Sequence, residues 1–168
     1  MKQLKSLLFA AILFAGVQTA TAQAKVAHIN VQELMTSMPE MKAANAQLEK
    51  LQGSYDTEYN KLVEEFRAKI KQYDEESAKV SAAINETRTK EVQDMQKRIQ
   101  DYQQSAQKEL EEKQIAIYKP IMDKSRAAIQ KVAKAKGYQY VLDATVGSGL
   151  LLAEGPDLLA DVKKELGF

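Results

Sequence analysis

Between Met41 and Ala135 the chain has one glycine, Gly53, and one proline, Pro120, and its apolar residues return every three or four positions. The row runs from Met41 through Leu48, Tyr55, Phe66 and Tyr73 to Ile84. It resumes at Val92 and passes through Met95, Tyr102 and Leu110 to Ile121. A stripe this narrow, flanked by charged residues, belongs to a coiled-coil seam and not to a helix buried in a globular core. Opposite charges stand four apart with the acid first at Glu65–Lys69, Glu75–Lys79, Glu86–Lys90, Asp94–Arg98 and Glu109–Lys113. Each such pair supports a water-exposed helix by about 0.2–0.5 kcal/mol.

The stripe falters over Asn85–Glu91, where no apolar residue occurs and Asn85 or Thr87 could cap a helix. This predicts a tip near residues 83–88 joining two antiparallel arms; an unbroken rod is the alternative. Pro120 predicts a kink in the returning arm. Gly137, preceded by Lys131, Lys134 and Lys136, fits the residue just past a helix C-terminus.

The flanks read differently. Lys2 and Lys5 precede an apolar run, Leu7 to Val17, and Ala20-Thr21-Ala22 fits a cleavage site, so residues 1–22 predict a signal peptide. That run is too short to span a bilayer. Residues 23–40 and 137–168 then form a β-rich association body, with residues 41–136 inserted as the hairpin. Lys25–Val31 and Tyr138–Asp143 read as strands. Leu150–Ala153 reads as a third, joined to the second by a hairpin turn over Thr145–Gly149. Ser37 and Pro39 suit a helix entrance, and Asp157–Leu166 a closing helix with Leu158, Leu159, Val162 and Leu166 on its apolar side. The expected class is α+β, mostly α: a long antiparallel coiled-coil helical hairpin inserted into a small β-strand association domain. About fifty residues of body rarely bury enough surface to stand alone. Self-association through Val26, Ile29, Val141, Leu142 and Leu151 is therefore expected.

The charge balance is 24 Lys+Arg against 23 Asp+Glu, a formal +1, which points to no nucleic-acid partner. With no cysteine there is no disulfide framework, and with His28 the only histidine a zinc site is not expected. Gly147-Ser148-Gly149 lacks the lysine of a phosphate loop. No catalytic constellation, metal or cofactor is expected, and the chain does not read as an enzyme.

An exported chain with Lys25-Val26-Ala27-His28-Ile29-Asn30 behind its leader, a long charged hairpin, Tyr138-Gln139-Tyr140-Val141-Leu142-Asp143, a Gly-Ser-Gly turn and a closing Asp157–Val162 segment resembles the Skp/OmpH family of periplasmic chaperones. The resemblance implies a jellyfish-like homotrimer. Strands from three subunits make a small barrel, and three hairpins project as tentacles around a cavity. It implies an ATP-independent holdase for unfolded outer-membrane β-barrel proteins, with a weak membrane or lipopolysaccharide contact. The best-known members are strongly basic, whereas this chain is near neutral. For such a cavity, flexible Met and amphipathic Tyr suit an adaptable surface. Tyr55, Tyr59, Phe66, Tyr73, Met95, Tyr102, Ile115, Tyr118 and Met122 are the candidate client contacts, Ile115, Tyr118 and Met122 lying off the main seam row. A coiled-coil envelope spacer without chaperone activity is the competing reading.

Overall fold

The computed structural model describes residues 24–168; the expected signal peptide lies outside the described residues. In chain order the elements are strand β1 (Val26–Ile29), helix α1 (Val31–Ser37), helix α2 (Pro39–Glu76), a 3-10 turn (Ser77–Lys79), helix α3 (Ala82–Ala135), strand β2 (Tyr140–Asp143) and helix α4 (Leu159–Leu166). At 1.5 Å per residue, α2 and α3 are about 57 Å and about 81 Å long.

The two long helices run antiparallel. Glu40 pairs with Lys124, Asn45 with Tyr118, Tyr55 with Glu109 and Glu76 with Arg88, so residue numbers fall along α3 as they rise along α2. The turn between them comes earlier than residues 83–88. Ser81, and neither Asn85 nor Thr87, caps α3, its hydroxyl accepting from the Ile84 amide at 3.4 Å. Asn85 instead donates its side-chain amide to the Ser77 carbonyl at 2.9 Å and satisfies the end of the other arm. An apolar-free stretch therefore marked the first exposed turns of a helix, not a break in one. Helix α3 also continues through Pro120, whose ring is exposed. The i→i+4 ion pairs that form are Lys71–Glu75, Lys97–Asp101, Lys108–Glu112 and Lys119–Asp123, base first. None of the expected acid-first pairs is among them, and Lys69 reaches across to Glu91 on the other arm. On exposed helix faces such pairings are weak and interchangeable.

Between α1 and α2 the break falls at Met38, not at Ser37. A residue before proline is pushed out of helical geometry. Met38 accordingly has ψ 128° and is fully buried, while the Ser37 hydroxyl bonds back to Glu33 inside α1. Helix α3 ends as its sequence suggests. Gly137 has φ +75°, the Tyr138 amide donates to the Ala133 carbonyl and the Gly137 amide to that of Lys134. These two bonds satisfy carbonyls that would otherwise be orphaned.

The strands β1 and β2 pair in parallel, Val26 opposite Tyr140 and Ile29 opposite Asp143. The whole hairpin is thus the crossover between them. Among the described residues Leu150–Ala153 finds no strand partner, so Thr145–Gly149 is a turn without a second hairpin arm. The other flank of β1 is taken by Pro156–Leu158. The Pro156 carbonyl accepts from the His28 amide at 2.9 Å, and the His28 carbonyl accepts from the Leu158 amide at 3.0 Å.

One core joins both chain ends: Ala27 and Ile29 of β1, Leu34 of α1, Ala128 and Val132 of α3, and Leu158 and Val162 at α4. A polar knot sits beside it. Asp143 accepts from the Thr145 amide and hydroxyl at 2.9 and 2.6 Å and from the Val31 amide at 3.3 Å. Asn30 accepts from the Glu33 amide at 2.9 Å, and Thr145 accepts from the Gln32 amide at 3.2 Å. The end of β2 thereby caps α1. Burial alone would raise the Asp143 pKa, but the bonds from Thr145 and Val31 together pull it below the usual value.

Leu34, wholly buried, reads out the joint core. Leu34→Ala is expected to cost about 2–5 kcal/mol in urea unfolding. The lowered Asp143 pKa gives stability that is fully present above an ordinary aspartate value of about 3.9 and is lost as pH falls through the lower folded value. Asp143→Asn should therefore be less stable near neutrality and flatter in stability against pH below that point, as thermal melts across an acid series would show.

Candidate functional site

The nine candidate contact residues divide by where the arms put them. Helical spacing turns Tyr55, Tyr59, Phe66 and Tyr73 of α2 toward Met95 and Tyr102 of α3. Tyr55, Tyr59, Phe66, Tyr73 and Tyr102 are half-buried there, and Met95 is 6% exposed. Met95 is thus a packed seam residue and not a surface one. Its stripe position and its flexible thioether gave the same signal for either role.

The tyrosines of this seam are polar struts as well as filler. The Tyr55 hydroxyl donates to Glu109 at 3.0 Å, and the Tyr102 hydroxyl donates to the Tyr55 carbonyl at 3.4 Å. Their phenols are pushed above the ordinary range, Tyr55 by the bond to Glu109 and Tyr102 by burial and then by Glu58, Glu109 and Asp56. Both therefore stay neutral hydrogen-bond donors near pH 7.

The remaining three lie toward the root of α3. Ile115 is 60% and Met122 54% exposed, the two most exposed large apolar side chains of α3. Tyr118 is half-buried, its hydroxyl donating to Asn45 at 2.7 Å. Tyr118 and Met122 also border an open, mainly apolar groove of about 770 Å³. Met35 and Met41 from the α1–α2 corner complete its thioether wall, and Val141 of β2 its far side. Met35 and Met41 were not foreseen as site residues. The spacing Met35-x-x-Met38-x-x-Met41 was the available signal, and only the bend at Met38 turns the outer two toward one groove.

Of the residues expected to carry association, Ile29 is withdrawn. It is 1% exposed inside the chain's own core, because the parallel pairing turns it inward. Val141 is half-buried against the same core. Val26 and Leu142 are exposed on the sheet, and Leu151 is 99% exposed beside Leu152. Among the described residues, the backbone of this 150–153 segment makes no ladder.

Among the described residues no three His, Cys, Asp or Glu side chains converge on a point that could hold a metal ion. His28 belongs to β1, with both backbone polar groups bonded to the Pro156–Leu158 segment. Gly147 and Gly149 adopt positive φ around a tight turn in which the Ser148 hydroxyl donates to the Asp143 carbonyl at 2.6 Å. That glycine pair serves the turn.

Compared with known proteins, residues 25–166 match the sequence profile of a family described as "Outer membrane protein (OmpH-like)". The "Chaperone protein Skp" of Pectobacterium atrosepticum is 22% identical over 155 residues, covering 92% of this chain and 93% of its own. A crystal structure from Caulobacter crescentus, described as an OmpH-like outer membrane chaperone, superposes with a TM-score of 0.77 at 20% identity. That match covers 88% of this chain and 86% of the other.

The division between packed and bare side chains is measurable. Met95→Ala is expected to cost about 2–5 kcal/mol in urea unfolding. Ile115→Ser, on an open helix face, should change stability by no more than about 0.5 kcal/mol.

Proposed function

This chain belongs to the OmpH-like family of outer membrane proteins, and from that premise we propose that it is an ATP-independent periplasmic holdase. In this reading it keeps unfolded outer-membrane β-barrel proteins soluble in a space enclosed by the arms of three copies. The observation that carries the proposal is the set of bare apolar side chains at the arm root, Ile115 and Met122, beside the Met- and Tyr-lined groove. An unfolded membrane β-barrel exposes alternating apolar residues and unpaired backbone, and aggregates through both. Holding it calls for apolar contact that is weak at each point, tolerant of sequence and spread over a surface. Thioethers and amphipathic aromatics supply such contact.

Client contact is assigned first to Ile115, Tyr118 and Met122. Tyr55, Tyr59, Phe66, Tyr73 and Tyr102 keep the arms together and touch a client only where they are half-exposed. Assembly is assigned to Val26, Leu142 and Leu151 with the unpaired 150–153 backbone. A sheet edge and an apolar segment left bare in one chain are covered at least cost by further copies.

The decisive experiment dilutes a urea-unfolded outer-membrane β-barrel into buffer with and without the protein, in the absence of nucleotide. Turbidity should be suppressed at a stoichiometric ratio of oligomer to client. Ile115→Ser combined with Met122→Ser should raise the protein needed several-fold without changing its helical circular dichroism. Unchanged turbidity with a several-fold excess of the natural protein would overturn the holdase reading and favour an inert spacer. Sedimentation tests the assembly: the mass of three chains is expected for the natural protein, and a smaller mass for Leu151→Asp.

A further inference from the structure

Just below the tip the arms are joined by a different chemistry from the rest of the seam. Tyr73 of α2 is its centre. The Tyr73 hydroxyl donates to a carboxylate oxygen of Glu91 on α3 and accepts from Lys69 Nζ at 3.2 Å. Lys69 Nζ in turn lies 3.4 Å from Glu91. The Arg88 guanidinium stands 4.5 Å from the Tyr73 ring centroid, and its Nη2 donates to Glu76 at 2.5 Å. The Arg88 side chain is only 17% exposed, and its Nη1 is buried with no partner among the described residues. Apolar packing is thin here. Ile70 and Ile84 are 41% and 47% exposed, and an open gap of about 540 Å³ lies between Ile70, Tyr73, Asn85 and Val92. Charge and hydrogen bonds, more than burial, hold the ends of the arms together.

We infer that this network is an acid-released latch: with Glu76 and Glu91 charged it keeps the arm ends together, and with both protonated the ends part and uncover Ile70, Val92 and Phe66. The inference concerns the arms alone and holds whether or not they bind clients. The charges facing the network decide its sign. Glu65, Lys69 and Asp74 come from α2, Lys79 from the turn, and Arg88 and Arg98 from α3. Neutralising the two glutamates leaves Lys69, Lys79, Arg88 and Arg98 facing Glu65 and Asp74, an excess of positive charge. It also strips the carboxylate from a largely buried guanidinium, the costly way to break an ion pair. The bond from Arg88 holds the Glu76 carboxyl below the usual range, and the bond from Tyr73 does the same for Glu91. The latch is therefore fully shut above an ordinary glutamate pKa of about 4.3 and lets go as pH falls through the lower folded values. The arm roots differ. Met38, Ala44 and Ile121 are buried there, so loss of the Glu40–Lys124 pair leaves an apolar contact in place.

The chain has no cysteine, so spin labels can be placed at will on the full-length mature protein. One pair, Ala68→Cys with Gln96→Cys, spans the arms below the latch, and a second, Ala46→Cys with Ala116→Cys, spans the roots. At pH 7 both distance distributions should be narrow. As pH is lowered stepwise through and well below the ordinary glutamate range, the upper pair should lengthen and broaden reversibly while the root pair holds. Glu76→Gln with Glu91→Gln should produce the open upper distribution already at pH 7. An upper pair unmoved by acid, both pairs broadening together, or glutamine substitutions that leave the upper pair narrow would each overturn the latch.

Discussion

The parallel pairing of Val26–Ile29 with Tyr140–Asp143 holds the remaining elements in place. It sets the root of the hairpin, because α1 leaves β1 directly and α3 runs into β2. It also brings Ala27 and Ile29 against Val132, Leu158 and Val162, so that one core is assembled from both ends of the chain. Asp143 completes the joint by capping α1 from the end of β2. A sheet of two strands remains a weak unit in water. The Pro156–Leu158 segment closes one side of β1, while Tyr140 and Leu142 stay exposed on β2. The same pairing that makes the chain fold thus leaves apolar side chains of β2 bare on its surface.

Along the arms the balance of forces shifts with height. At the root the contact is apolar and buried, around Met38, Ala44 and Ile121. In the middle, half-buried tyrosines pack by their rings and bond by their hydroxyls, as Tyr55 and Tyr102 do. At the tip Arg88, Glu76, Tyr73 and Glu91 take over. A pair of helices standing in water needs little greasy surface to stay paired if polar groups fix its register. The most exposed large apolar side chains of the arms, Ile115 and Met122, then stand free of the seam.

Much of this was legible in the residues. Helical periodicity gave the two arms, Gly137 gave the end of the second, and the Leu158–Leu166 pattern gave the closing helix and its buried side. What escaped was whatever depends on partners distant in sequence. The tip fell at Ser77–Ser81 because Ser81 caps and Asn85 reaches back, and neither bond is visible in local propensity. Leu150–Ala153 has the composition of a strand but finds no ladder among the described residues. Ile29 and Leu142 look alike in a strand pattern, yet the register buries one and exposes the other. Met95 and Met122 carry the same side chain, and only the helix face on which each falls separates packing from exposure.

The sheet's parallel register has a kinetic corollary. Val31 and Asp143 meet across 112 residues, a contact whose closure is entropically slow if the ends must find each other as free chain. The helical excursion removes most of that search. Once the turn at Ser77–Ser81 has formed, the arms can zip downward through local contacts and deliver the two strands side by side. Until Tyr140–Asp143 is in place β1 lacks its ladder partner, so the joint core closes only after the arms have brought the two strands together.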